Sequence, residues 1–418
     1  MADPTSQPGV LEKFKLFILS VGPALFIIGY NIGTGSVTSM ASTGAEYGMR
    51  MALPLLLSCV FTYILIVLFG KYTIVTGDTV IHSYKKHFGK PAGLFVLVAL
   101  VFTEAVGCIG VMAIVTQVTQ EWTRPLTESG AGIDPLYSTI LFGGALYALL
   151  WKGKQNFFEK VLAVFVGVMG LSFIITMFMV IPEPSEVIAG IVAGVPNESG
   201  AFLLIASMVG TTMGAVIYVV RSVLIKGKGW GVEQFKLEKR DAKFSAILMF
   251  VLSIAVMAAA AGTLHQEGMK VDNAIDMVRL LEPFAGRFAV SIFVGGILAA
   301  GLSSLFPHIM LAPMLLADYQ GVNPDFQSKT NRLISLGIVL LTLSVPLFGG
   351  RPVFIMILSQ AFIATVTPVV ILFMIILMNR KEVVGEHALK PAKNIVLGLI
   401  FLFSLIMAIL GIIGIFGI

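Results

Sequence analysis

The sequence predicts an all-α polytopic membrane protein of about eleven transmembrane helices, arranged as two groups of five in inverted orientation plus one extra helix. Three observations carry this. The 418 residues are 57% hydrophobic and only 12% charged, with a mean hydropathy of +0.95, and a water-soluble domain of that composition would have no polar surface to show. Apolar runs of about 20 residues, the length that crosses a hydrocarbon core, recur along the whole chain. Spans 1 and 6 are each interrupted near the middle by glycines flanked by hydroxyl residues.

In order, the runs fall roughly at 16–40, 51–76, 92–118, 136–151, 157–181, 201–225, 244–263, 287–317, 332–349, 352–379 and 394–417. Span 1 reads "GPALFIIGYNIGTGSVTSM" and span 6 reads "IASMVGTTMGAVIYVVRS". Gly33 and Gly35 in the first are mirrored by Gly210 and Gly214 in the second. Each span opens a group of five, 16–181 and 201–379, and five is odd, so the second group enters the membrane from the opposite side. That is the inverted-repeat pattern in which substrate sits at the midplane between unwound backbones. Unpaired backbone groups at that depth are unfavourable unless protein, water or ligand meets them. A lone glycine would read as a packing contact; a matched pair reads as a site. The whole chain is expected to be one transporter domain, with 394–417 as the added helix.

Lys and Arg set the orientation. With the N-terminus inside, 22 of the 28 basic residues fall in cytoplasmic segments, which predicts an integral inner-membrane protein with a cytoplasmic N-terminus and an external C-terminus. The pI near 9.1 then reports topology and anionic lipid, and nucleic acid is not an expected partner. No signal peptide is read. Cys59 and Cys108 lie inside spans as small buried hydrophobes. The polar stretch Lys226 to Lys243 reads as a cytoplasmic loop with an amphipathic piece on the membrane, and "HQEGMKVDNAIDMVRLLEPFAGR" as an external segment holding a short helix.

Few ionisable residues sit at membrane depth, and these mark ion routes by default. Glu104 would carry a proton or pair with Arg221 or Arg332 as a strut. His308 would serve the same route or bond a nearby carbonyl. Arg221 completes the proton-route candidates, and Asp78 reads as a cap or gate at the inner mouth. Ser303 and Ser304 would either bond back to the preceding turn or help cage a hard monovalent cation.

These stretches resemble the NRAMP-related transporters of the amino acid-polyamine-organocation superfamily. "GPALFIIGYN" and "STGAEYG" match the family's span 1, "EAVGCIG" its span 3, "ILAAGLSS" its span 8 and "ILSQAF" its span 10. The resemblance implies a LeuT-type fold and ion-coupled alternating access. It also implies a departure: where family members carry Asp-Pro-Gly-Asn in span 1 and Met-Pro-His in span 6, the register places Gly33 and Ser36, then Gly214, Val216 and Arg221. Gln360 and the carbonyls of Tyr30 and Thr211 remain, and Glu104 falls on a family acidic position. "NIGTGS" is similar to the Gly-x-Gly of amino acid transporters, and Gly29, Ile32, Ala300, Ser303 and Ser304 match the sodium cage of sodium symporters, making Na+ a candidate bound ion.

A bare transition-metal ion needs charge neutralisation and a soft ligand for selectivity, and free amides at a half-helix N-terminus favour anions. The leading expectation is therefore an ion-coupled secondary transporter whose substrate is not a dehydrated transition metal, with a small carboxylate or zwitterionic solute, moved with sodium or a proton, as the candidate cargo. Its site would comprise Tyr30, Asn31, Gly33, Thr34, Gly35, Ser36, Thr211, Thr212, Gly214 and Gln360. The alternative is divalent cation transport, with Mg2+ or a Mn2+-like ion passing partly hydrated; a third reading is a transport-dead receptor or scaffold. No nucleophile and base pair, metal cluster or phosphate loop suggests an enzyme, and no cofactor is expected.

Overall fold

The computed structural model describes residues 27, 29, 30, 33–151, 164, 167, 168, 171, 175, 178, 184–272, 276, 282–345 and 352–417. The first part of span 1, Asn31, Ile32, most of span 5 and much of the external stretch after His265 lie outside them. Helices follow the apolar runs. They are α1 (Thr34–Tyr47), α2 (Ala52–Thr76), α3 (Val80–Phe88), α4 (Lys90–Thr123), α5 (Pro135–Trp151) and α6 (Pro184–Ala193). Then come α7 (Ser199–Met213), α8 (Ala215–Gly227), α9 (Phe235–Gly262), α10 (Glu282–Gln320), α11 (Lys329–Thr342), α12 (Pro352–Asn379) and α13 (Pro391–Phe416).

Among the described residues, seven helical segments are long and apolar enough to cross a membrane, and α7 with α8 counts as one of them. Four of the eleven runs are not among these seven. Spans 4 and 9 form helices of only 17 and 14 residues, and spans 1 and 5 lie partly outside the described residues.

Glycine ends the helices where the chain must turn. Gly48 (φ 57°) follows α1 and Gly77 (φ 72°) follows α2, each donating its N–H back to the last turn, because left-handed backbone suits a residue without Cβ. The central pack sets α7 against α12, α10 against α4, and α9 against α1. Gly44 lets α1 and α9 approach, since any Cβ there would meet the Met257 carbonyl and Ala260.

Polarity is arranged inside out. Leu94, Phe95, Val98 and Phe102 on α4 and Ile395, Leu399 and Leu402 on α13 face outward, as a lipid-facing surface requires. Hydroxyls line the interior instead: Ser39 bonds Ser207 at 2.6 Å, Ser36 faces Ser253 at 3.3 Å and Ser58 meets Thr212 at 2.8 Å. Such bonds hold helices together where lipid offers no hydrophobic driving force.

Two expectations need correction here. Residues 235–243 are the first turns of α9, and within that stretch Glu238 and Asp241 are fully buried. They pair with Arg221 of α8, whose Nε donates to Glu238 at 3.2 Å while its terminal nitrogens bond Glu238 and Asp241. Charge density made this segment look like a loop, yet its acids are spaced three apart on one helix face. α3 was also missed. It is short and amphipathic, and its first-turn amides at Ile81 and His82 donate to the Asp318 carboxylate at 3.1 and 3.0 Å.

Candidate substrate site at two helix breaks

Both interrupted spans are broken helices. α1 begins at Thr34 after Gly33 in extended conformation (φ −81°, ψ −166°), while Gly29 and Tyr30 are helical just before it. α7 ends at Met213 and α8 starts at Ala215, with Gly214 extended between them (φ −64°, ψ 142°). Neither glycine is in the left-handed region. Space selects them: a Cβ on Gly33 would strike Ser304, and one on Gly214 would lie 2.6 Å from Ile363 Cγ2.

α12 holds the two breaks together. A Cβ on Gly35 would lie 2.7 Å from the Gln360 side-chain nitrogen, and one on Gly210 would strike the Gln360 backbone carbonyl. Gln360, only 5% exposed, is thus wedged between α1 and α7. Thr34 contributes a buried hydroxyl with no hydrogen-bond partner among the described residues, and Thr38, one turn on, contributes another. Buried hydroxyls in that state are where water or a ligand is expected.

Thr212 lies in the last turn of α7. Its hydroxyl bonds Ser58 and the Met208 carbonyl, and its carbonyl accepts from Thr62 at 2.8 Å. The Met213 carbonyl accepts from Tyr218, and the Ala215 amide donates to Thr367 at 3.0 Å. These bonds fix the end of α7 and the start of α8 on either side of Gly214. Of the remaining candidates, Gly33, Thr34, Gly35, Ser36, Thr211, Gly214 and Gln360 belong to the broken segments and α12.

The span 8 serines join the same region. Ser303 donates to the Ala300 carbonyl at 3.0 Å and reaches the Gly29 carbonyl at 3.4 Å, and Ser304 donates to the Tyr30 carbonyl at 3.2 Å. Back-bonding and bridging to span 1 thus coexist. Below them Tyr30 Oη donates to Glu104 Oε1 at 2.6 Å, and Glu104 Oε2 lies 3.5 Å from His308 Nε2. The Tyr30 and His308 rings meet at a tilt of 39° with centroids 5.0 Å apart. His308 Nδ1 contacts the Ser304 carbonyl at 2.7 Å; a carbonyl only accepts, so Nδ1 carries a proton.

Glu104 is no strut to either arginine. Arg221 is committed to Glu238 and Asp241, and Arg332 stacks on Trp151 at 4.2 Å. Arg221 therefore belongs to a separate buried ion cluster, with Trp230 5.7 Å from its guanidinium. The missed residues, Glu238 and Asp241, carried one signal: an i, i+3 acid pair able to answer a lone arginine in an apolar span.

A family model described as natural resistance-associated macrophage protein-like matches residues 24–414. The chain belongs to this family. The divalent metal cation transporter MntH of Caldanaerobacter subterraneus subsp. tengcongensis is 22% identical over 408 residues, which cover 94% of this chain and 93% of that protein. MntH of Erwinia tasmaniensis is 25% identical over 370 residues, 86% of each. The manganese transporter of Eremococcus coleocola superposes with a TM-score of 0.73 at 13% identity, covering 99% of this chain and 89% of its own.

The fold is LeuT-type, and the expectation of a carboxylate or zwitterionic solute is overturned. The relatives that match nearly the whole chain are divalent metal cation transporters. The error was physical. It weighed the amides that open α1 and α8, and gave too little to the carbonyls that close the preceding segments at Tyr30 and Thr211. In broken membrane helices those carbonyl ends coordinate cations.

Proposed function

We propose that this NRAMP-family protein moves a hard divalent cation of the Mg2+ or Mn2+ class across the inner membrane by alternating access. The reading is carried by the meeting of two helix breaks around Gln360, in a chain whose near full-length relatives are divalent metal cation transporters. Among the described residues, no group of three His, Cys, Asp or Glu could hold a metal. We take Gly33, Ser36 and Gly214 to stand where other members place ionic or soft ligands. The donors here are neutral oxygens: the Tyr30 and Thr211 carbonyls, the Thr34 hydroxyl and the Gln360 amide. Carbonyls, hydroxyls and water suit hard cations, and Mg2+ keeps several waters when bound, so the ion would pass partly hydrated.

A proton is the counterpart we favour for coupling. With His308 Nδ1–H committed to Ser304 and the Tyr30 hydroxyl to Glu104, the buried pair Glu104 Oε2 and His308 Nε2 has two acceptors facing each other. One proton between them turns that contact into a hydrogen bond, and its loss leaves two unsatisfied lone pairs. Sodium coupling rests on the oxygens of Gly29, Ala300 and Ser303. The asymmetry of the basic residues supports a cytoplasmic N-terminus.

Calorimetry tests the substrate. Mg2+ or Mn2+ should bind the purified protein, and Gln360→Leu should weaken that binding about tenfold, roughly the loss of one ligand contact. Absence of any divalent cation binding to the wild type would refute the proposal.

A further inference from the structure

At the end of the bundle where α2 finishes and α9 and α13 begin, the three helices leave a recess of about 440 Å³. Tyr63, Val67 and Leu68 of α2, Phe235 of α9, and Val396 and Leu397 of α13 make its walls apolar. Each helix adds one lysine near its end: Lys71, Lys239 and Lys393. A second apolar recess of about 400 Å³ shares Tyr63 and continues between α2 and α9 past Val60 and Phe250. Its mouth faces outward, where Val60 and Ile247 are exposed as the bilayer-facing residues are.

The three lysines have no ionic partner among the described residues. Lys71 Nζ donates to the His387 carbonyl at 2.8 Å and Lys239 Nζ lies 4.6 Å from the Phe235 ring, but among the described residues no carboxylate forms a salt bridge with any of the three. The charges acting on Lys71 are the like charges of Lys239 and Lys393. Topology explains lysines at this end of the helices. It does not explain three converging on one apolar recess, which is unfavourable until an anion joins them.

We propose that the recess binds an anionic glycerophospholipid of the surrounding bilayer, its phosphate among Lys71, Lys239 and Lys393 and an acyl chain in the gutter along α2 and α9. Basic pockets between transmembrane helices recognise anionic headgroups in this way. An acidic protein segment would satisfy the lysines yet leave an outward-facing apolar gutter unfilled, so lipid fits both halves of the feature.

Native mass spectrometry of the full chain, titrated with dioleoyl phosphatidylglycerol or dioleoyl phosphatidylcholine, tests this. Phosphatidylglycerol should bind more tightly, and Lys71→Gln should weaken it about fivefold, with the triple variant Lys71→Gln, Lys239→Gln, Lys393→Gln weakening it about a hundredfold. The control triple Lys236→Gln, Lys381→Gln, Lys390→Gln removes the same charge elsewhere and should retain the preference. Val396→Trp, which fills the recess, should weaken both lipids. Equal affinity of the wild type for the two lipids, or equal loss in the two triple variants, would overturn the assignment. So would displacement of phosphatidylglycerol by hexaglutamate with Val396→Trp silent.

Discussion

Gly33 has no room for a side chain, because Ser304 of α10 stands where its Cβ would go. A single methyl group there must push the break away from α10, and such overpacking costs roughly 1–3 kcal/mol. Gly33→Ala is expected to lower the thermal unfolding midpoint and transport together. Adding Ser304→Gly should restore the midpoint, since it removes the obstructing atoms. A Gly33→Ala protein as stable as the wild type would mean that this contact does not hold the break in place. The sequence marked Gly33 as special through its mirror in span 6, but only the fold shows that close approach, and not backbone dihedral, selects glycine there. Glu104 and His308 were likewise visible as rare polar residues, whereas their meeting across 204 positions was not.

At the scale of elements, the buried charges act as fasteners between helices. Arg221 on α8 answers two carboxylates on α9, all three shielded from solvent. Removing one partner from such a cluster strands the others, at a cost of about 3–5 kcal/mol. Arg221→Met should therefore lower stability sharply, while the combined change with Glu238→Leu and Asp241→Leu should recover much of it. Asp318 plays a smaller part: it serves two first-turn amides of α3, whose own Thr79 makes no capping bond. Asp318→Ala should cost about 1 kcal/mol and raise amide hydrogen exchange in residues 80–88 selectively. Unchanged exchange there would show that α3 is held by other contacts.

Hydropathy made these spans legible because each helix must be apolar for about 20 residues to lie in lipid. It hid Glu238 and Asp241 for the same reason. A charged first turn reads as loop unless its partner in space is known, and Arg221 lies 17 and 20 residues back along the chain.

For the whole molecule, an apolar exterior surrounds a hydroxyl-rich interior, and two broken helices meet at Gln360 within it. The inverted symmetry was readable because two matched interruptions in a lipid-facing chain are improbable without function. The substrate was not readable, because one break offers amides to anions and carbonyls to cations, and the choice depends on which ends converge. On the proposed reading, neutral oxygens at this meeting point carry a partly hydrated divalent cation in the same direction as a proton held by Glu104. Proteoliposomes holding the full chain, loaded with a Mg2+ indicator and given an inward proton gradient, test it most directly. Saturable Mg2+ uptake that Gln360→Leu suppresses, and that Glu104→Gln makes insensitive to the gradient, is the predicted result; uptake no greater than in protein-free vesicles, for Mg2+ and Mn2+ alike, would contradict it.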